Sequence, residues 1–567
     1  MTFSRLAVLL ASASLLSACA SNVLGPKTLA AKDMATSSYG LFLAGQGALN
    51  DGRGAQAAAY FEQARADGDD SDGLVAERAF TAAVLAGDIS RASALAPKGE
   101  GASDAGKRLG QMVMAVEDMA QDKPKLAQPL LAVDNVGFPH KSLAALLAPW
   151  ASAMAGDTEA SMVRPQVRGD KVVDYFGMLG QAYLYERAKR YDEAETDFKV
   201  LTGSDTPGDM VVLAYGGFLE RRGRKVDALA LYAKALAAEP RNSALVAARD
   251  RAAAARGAPP PLPSLKQGAA QAIMAPAATM LAAKQDQLGL AYLRMALRLD
   301  PNFNAAWLMV GDMMESAGDP DSARLAYGKP RPGSLEYASA RAKLAWSYQG
   351  AKDSETALKL AREAAATGDT DAKVTLADIL RVNEKFAESA EVLSTVMGTD
   401  PDWRLLYARG VAYDRSGRWV DGERDLQAAL KLKPDDSELL NYLGYSWIDR
   451  GEHLAEALAM VQKAVGENPR SGAMVDSLGW AYYRLGDYKK AVETLENAIE
   501  LEAGDPDINN HLGDAYWRVG RRDEADFQWR RVLTLDPDAK MKAEVDQKLA
   551  NGLGPNGPAL PARVAGQ

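Results

Sequence analysis

Asp476, Trp480, Tyr483 and Arg484 stand at i, i+4, i+7 and i+8, a spacing that puts all four on one line of a helix. The same offsets recur downstream in Asn510, Asp514, Trp517 and Arg518, and upstream in Asn441, Tyr445, Ile448 and Asp449. Aromatic and arginine side chains are the usual anchors of protein interfaces, and asparagine can pair with peptide backbone. The chemistry on offer is therefore non-covalent capture of a polypeptide. Large residues at these positions also suit plain packing between neighbouring helices, and that reading stands beside the binding one. Asp476 and Asp514 interrupt any cluster of lysine or arginine beside asparagine, so a clamp for a C-terminal carboxylate is not expected.

Catalysis finds no comparable pattern. His140, His453 and His511 are far apart, with no metal-ligand spacing such as H-E-x-x-H, and no G-x-S-x-G occurs. His511, between Asn510 and Leu512, reads as a residue of local packing. An enzyme, a bound metal and a cofactor are all unexpected. The net charge of −9 comes without any stripe of lysine and arginine, which argues against nucleic-acid binding. A composition 47% apolar and 25% charged is that of an ordinary folded chain.

The elements that must position these residues announce themselves by period. Gly410, Gly444, Gly479 and Gly513 recur every thirty-four or thirty-five residues. Around Gly513 stand Leu512, Tyr516, Gly520, Ala525, Trp529, Val532 and Pro537; around Gly479 stand Leu478, Tyr482, Gly486, Ala491, Leu495 and Ala498. Each set divides into two amphipathic helices with a glycine turn between them. Small residues let the two backbones approach, aromatic residues fill the gap, and proline closes the unit. This pattern resembles the tetratricopeptide repeat (TPR). The resemblance implies an all-α solenoid of helical hairpins, in which the first helix of each pair lines a groove and neighbours must stack to bury their faces.

Weaker equivalents extend upstream. Eight units are expected over residues 269–537, beginning with Ala277, Gly311, Ala345 and Ala377. A degenerate TPR-like solenoid is expected over 38–240, where Gly216, Ala182 and Gly45 start the better echoes. Between them, 241–268 forms a Pro-rich linker region containing Pro259-Pro260-Pro261 and Pro263, which excludes helix. That stretch is a candidate hinge between two halves, or a plain solvent loop. A capping helix is expected over 538–550, with Met541, Val545 and Leu549 on one stripe, and a disordered tail over 551–567.

The single cysteine, Cys19, follows a basic start and an apolar run from Leu6 to Leu16, too short to span a bilayer. Leu16-Ser17-Ala18-Cys19 resembles the bacterial lipobox. The resemblance implies a signal peptide over 1–18, a lipidated Cys19, a tether over 19–37, and anchoring by acyl chains in the periplasmic leaflet of an outer membrane.

The segments Asn441-Tyr-Leu-Gly-Tyr, Asp476-Ser-Leu-Gly-Trp-Ala-Tyr-Tyr-Arg484 and Asn510-His-Leu-Gly-Asp-Ala-Tyr-Trp-Arg518 resemble a group of proteobacterial TPR lipoproteins. Some members of that class are adaptors that hold a periplasmic C-terminal processing protease and murein hydrolases together. Others serve envelope assembly or the control of peptidoglycan synthesis. The implied function is a lipid-anchored scaffold that binds envelope proteins in its groove; an envelope enzyme subunit with its site in the N-terminal half is the alternative.

Overall fold

The computed structural model describes residues 37–67, 73–98, 101–203, 207–240, 242–254, 256–399 and 401–554. The signal peptide, Cys19, most of the tether and residues 555–567 of the tail lie outside the described residues. Among those described, the chain forms thirty α-helices, a single 3₁₀ turn and no strand. No helix among them is long and apolar enough to cross a membrane, and no group of His, Cys, Asp and Glu could hold a metal ion. The chain is an all-α solenoid of TPR-type helical hairpins.

The repeat glycines do what their spacing requires. A Cβ on Gly479 would stand 2.5 Å from Leu495, and one on Gly513 would stand 2.6 Å from the Trp529 ring. Each glycine meets the residue sixteen positions on, in the second helix of its own pair. The echoes at Gly45 and Gly216 keep the same offset, facing Phe61 and Tyr232. In the intervening pairs, second helices shrink to Ile89–Ala94, Pro124–Leu130 and Thr158–Ser161.

The chain divides into two compact units, residues 1–319 and 320–567. The Pro-rich stretch does not mark that division. It runs across the N-terminal unit, where Arg221 Nη1 donates to the Pro260 carbonyl at 2.9 Å and Lys225 Nζ to the Gly257 carbonyl at 3.0 Å. The helices that follow, Leu265–Ala282 and Asp286–Leu299, were expected to open the C-terminal array. They do pack on the next helix, Asn304–Ser316, but as a hairpin they also pack on the first helices Leu74–Ala86, Asp104–Ala120, Lys141–Met154 and Lys171–Arg187.

The physical reason lies in the hairpin's small residues and in its polar partners. Gly268 is pressed against Trp150, where a Cβ would stand 2.1 Å from the ring. Arg298 Nε donates to buried Glu117 at 2.7 Å, Arg294 Nε to the Leu85 carbonyl at 3.1 Å, and His140 Nδ1 lies 2.7 Å from the Tyr292 hydroxyl. Burial removes these groups from water, and each finds a partner there.

Candidate protein-binding groove of the C-terminal unit

Three consecutive first helices carry the predicted line: Ser437–Arg450, Gly472–Arg484 and Pro506–Arg518. Asp436, Ser471 and Asp505 cap them, each side chain accepting from the backbone N–H three residues on. Pro506 occupies the first turn of its helix, where no N–H is needed. Each helix ends on an arginine, which complements the negative end of its dipole. The capping helix Ala539–Asn551 lies against them, and together they enclose a cleft of about 600 Å³.

Tyr445, Trp480, Arg484, Asn510 and Asp514 line this cleft. Trp480 is the centre of a stack. Its ring lies 4.6 Å from Tyr483 at an interplanar angle of 7°, and 4.1 Å from His511 at 18°. His511 Nδ1 sits 3.0 Å from both carboxylate oxygens of Asp476. Burial alone would pull the imidazole pKa down, but the carboxylates of Asp476, Asp514 and Asp507 outweigh it and the net shift is upward. The protonated ring is favoured, and it faces the Trp480 π-cloud. Trp480 itself is only 6% exposed, and its indole N–H has no hydrogen-bond partner among the described residues. A buried donor left unpaired costs free energy until an acceptor arrives.

The remaining predicted residues divide three ways. Tyr483 is itself a member of the stack, and Asp476 holds His511 in it. Asn441 stands apart from the cleft, its Oδ1 buried and unpartnered among the described residues. The line on Pro506–Arg518 is engaged by the chain itself. Lys548, 7% exposed, donates to Asn510 Oδ1 at 2.8 Å and Asp514 Oδ2 at 2.9 Å, while Trp529 Nε1 donates to Asp514 Oδ1 at 3.0 Å. Burial pushes the Asp514 carboxyl pKa up, against the pull of Lys548. Trp517 Nε1 donates to the Leu553 carbonyl, and Arg518 Nη1 to that of Gly554. Asp514 is therefore an internal partner of the cap rather than an open binding position.

Sequence reasoning missed Lys548 and Glu544, which form the far wall of the cleft, and read His511 as packing alone. The signal for His511 was available: it follows Asp476 by thirty-five residues, one repeat on, where side chains of adjacent first helices meet. Lys548 carried no such mark, since only the docked pose of the cap turns it inward. The carboxyls in the cleft wall (Asp449, Asp507, Asp514, Asp538, Glu544) face Arg484, Lys540, Lys548 and His511. A slightly larger cleft, about 650 Å³, lies in the N-terminal unit among Leu49, Leu85, Leu281, Leu290, Met309 and Met313. Its walls are chiefly apolar, with Lys284, Asp286 and Gln287 at the turn of the hairpin, and it lacks the converging aromatic and hydrogen-bonding groups of the C-terminal cleft.

Comparison with known proteins agrees with this geometry. Residues 179–243 and 407–472 match the tetratricopeptide repeat family, as do 506–539, and 479–520 match the TPR repeat family. The chain is 34% identical over 113 residues to the TPR repeat-containing protein PA4667 of Pseudomonas aeruginosa, covering 20% of this chain and 19% of that protein. It is 25% identical over 222 residues to Superkiller protein 3 of Schizosaccharomyces pombe, covering 36% and 16%. With Cellulose synthase operon protein C of Pseudomonas fluorescens the identity is 24% over 193 residues, covering 32% and 15%. The matches thus span under a fifth of these relatives' lengths. Among solved structures, a tetratricopeptide repeat protein from Parabacteroides merdae covers 44% of this chain and 99% of its own, at 13% identity and a TM-score of 0.39. Tetratricopeptide repeats are thus present in both units, and the chain is built as a scaffold for protein–protein interaction.

Proposed function

We propose that the C-terminal unit captures an extended segment of a partner protein across the first helices, between Tyr445, Trp480 and Arg484. The observation that carries this reading is the unpaired indole N–H of Trp480, which is closed to solvent behind the cleft wall and is reached by a partner only when that wall gives way. A main-chain carbonyl is the acceptor that a polypeptide supplies without regard to sequence.

A photo-crosslinking residue at Tyr445 tests the placement in the intact envelope. The expected result is one or a few discrete adducts that disappear in Trp480→Ala. Because Trp480 also packs, Trp480→Phe is the sharper variant: it keeps the stack, deletes the N–H, and should weaken capture about tenfold, the loss of one well-placed hydrogen bond. Undiminished capture by Trp480→Phe and Trp480→Ala together would refute the groove.

The finer reading places this scaffold on the periplasmic face of an outer membrane, held by lipid on Cys19 and bringing a C-terminal processing protease to murein hydrolases. Its support is the lipobox-like Leu16–Cys19 and the resemblance of the three C-terminal helices. Palmitate labelling that persists in Cys19→Ala contradicts the anchor. Murein hydrolase levels unchanged by deletion of the gene contradict the adaptor role.

A further inference from the structure

The C-terminal unit already holds a piece of extended chain on its first-helix face, and the piece is its own. Beyond the capping helix, Gly552 adopts φ +66° and ψ −177°, a backbone region open to glycine and essentially closed to other residues. It lies against the Trp517 indole, where a Cβ would stand 2.0 Å from the ring. Trp517 Nε1 then donates to the Leu553 carbonyl at 3.2 Å, and Arg518 Nη1 donates to the Gly554 carbonyl at 2.9 Å. Both donors are set in place from behind. Arg518 Nε reaches the Tyr483 hydroxyl at 3.2 Å, and Trp517 is packed between Trp529 and the Arg522 guanidinium. Both of these hydrogen bonds are to main chain, so the segment is read as backbone with one position that must lack a side chain.

The same three residues form part of the wall of the 600 Å³ cleft, of which Trp480 is another part. Trp480 thus borders the cleft directly, and Trp517 borders it through the segment it holds. Trp517 has its carbonyl, and Trp480 has none among the described residues.

The geometry points to a built-in competitor: Gly552-Leu553-Gly554 occupies the end of the groove that a partner must enter. The partner is an extended segment with glycine at the Trp517 contact, which displaces the three residues and offers a further carbonyl to Trp480. This inference rests on the reading of the cleft as a polypeptide site. Two main-chain hydrogen bonds are weak in isolation, but a tethered segment acts at an effective concentration on the order of millimolar. That is enough to exclude a poor ligand and to yield to one with more contacts.

The test uses the full chain, the chain ending at Asn551 and the variant Gly552→Val, each labelled with 5-fluorotryptophan. The Trp517 resonance is identified by its loss in Trp517→Phe. It should move in the same direction in the shortened chain and in Gly552→Val, neither of which changes a residue within a packed helix. A synthetic peptide of residues 550–558 should restore it in the shortened chain, with a dissociation constant on the order of 0.1 mM, about a tenth of the effective concentration. The same peptide carrying valine at position 552 should not. The partner segment crosslinked from Tyr445 should bind the shortened chain about tenfold more tightly than the full chain, as expected if the free groove is about a tenth populated. An unmoved Trp517 resonance in the shortened chain, or equal binding of the valine peptide, overturns the built-in occupant. Equal partner affinity for the full and shortened chains, with the Tyr445 crosslink intact, overturns the competition and leaves the groove standing. Loss of the crosslink with the peptide effect intact removes the groove reading, and with it the partner's share of this proposal.

Discussion

In the N-terminal unit the face of the first helices Asp104–Ala120 and Lys141–Met154 is covered by the hairpin of residues 265–299, whereas the corresponding face of Gly472–Arg484 opens on a cleft of about 600 Å³. Both units build that face from the same kind of helix pair. What differs is the chain laid against it. Leu265–Ala282 presents Gly268, Ala269 and Ala270, all buried, and can approach until backbone meets ring. The C-terminal unit meets a charged capping helix instead, and the polar side chains between them keep the two apart. A repeat scaffold therefore does not by itself make a groove. It makes a face, and the rest of the sequence decides whether the face is core or site.

The largest expected break in this contrast is at Glu117. It is 4% exposed and accepts from Arg298, Gln121 and the Ser90 hydroxyl. Burial would push its pKa up, but these partners together hold it below the usual carboxylate value. Arg298→Ala leaves the buried Glu117 carboxylate without its cation and should cost about 3 kcal/mol, as for other buried charges stripped of their partner. A cut at an exposed pair of the C-terminal unit, Glu388→Ala, removes the partner of Arg362 at 2.9 Å, both about half exposed, and should cost under about 1 kcal/mol. Hydrogen exchange resolved by peptide checks both. Equal losses of protection would mean that the hairpin contact is no more part of a core than an exposed pair is.

The histidines sharpen the contrast by sign. His140 is buried in the N-terminal unit, and burial first, then Arg108, pulls its pKa to about 4. The unfolded chain binds this proton near pH 6.5, so the associated stability is present above 6.5 and is lost as the pH falls towards 4. The span amounts to about 3 kcal/mol at 1.4 kcal/mol per unit. His511 has a raised pKa, so its contribution is present below 6.5 and is lost as the pH rises through the folded value. Acidification from pH 7 to 5 should therefore loosen the helices around His140 while preserving those around His511. His140→Gln and His511→Gln should each flatten one profile and leave the other. Parallel profiles in the two units would contradict the opposed environments.

Much of this plan was legible in the sequence because close packing leaves a strict trace. Gly479 and Gly513 have to be small at a fixed distance from Leu495 and Trp529, and that constraint repeats. The aromatic line at Tyr445, Trp480 and Arg484 was legible for the same reason, since a helix face is a matter of spacing. The hairpin's destination was not. Leu265–Leu299 has the composition of one more repeat, and alanine-rich faces fit many neighbours equally well. Nothing local distinguishes stacking on the next pair from docking on helices over a hundred residues away. Lys548 was hidden similarly: a lysine on an amphipathic helix reads as solvated, and only Asn510 and Asp514 opposite give it a buried role.

The smallest expected effect is a control on which the two units should agree. Two residues before the second helix of many pairs, the chain turns through a positive φ, at Gly486 and Gly520 with φ +83° in the C-terminal unit. Lys189 makes the same turn in the N-terminal unit at φ +62°, and Lys352 makes it in the C-terminal unit at φ +63°. A lysine there bears the left-handed penalty of about 1 kcal/mol, and glycine removes it at some cost in unfolded-state entropy. Lys189→Gly and Lys352→Gly should each stabilise by about 0.5 kcal/mol, measured as slower exchange of the flanking helix ends. The turn lies outside both the buried face and the open one, so the gain should be the same in each unit. A gain confined to one of them would show that the difference between the units reaches into the hairpins themselves, and is not only a matter of what covers them.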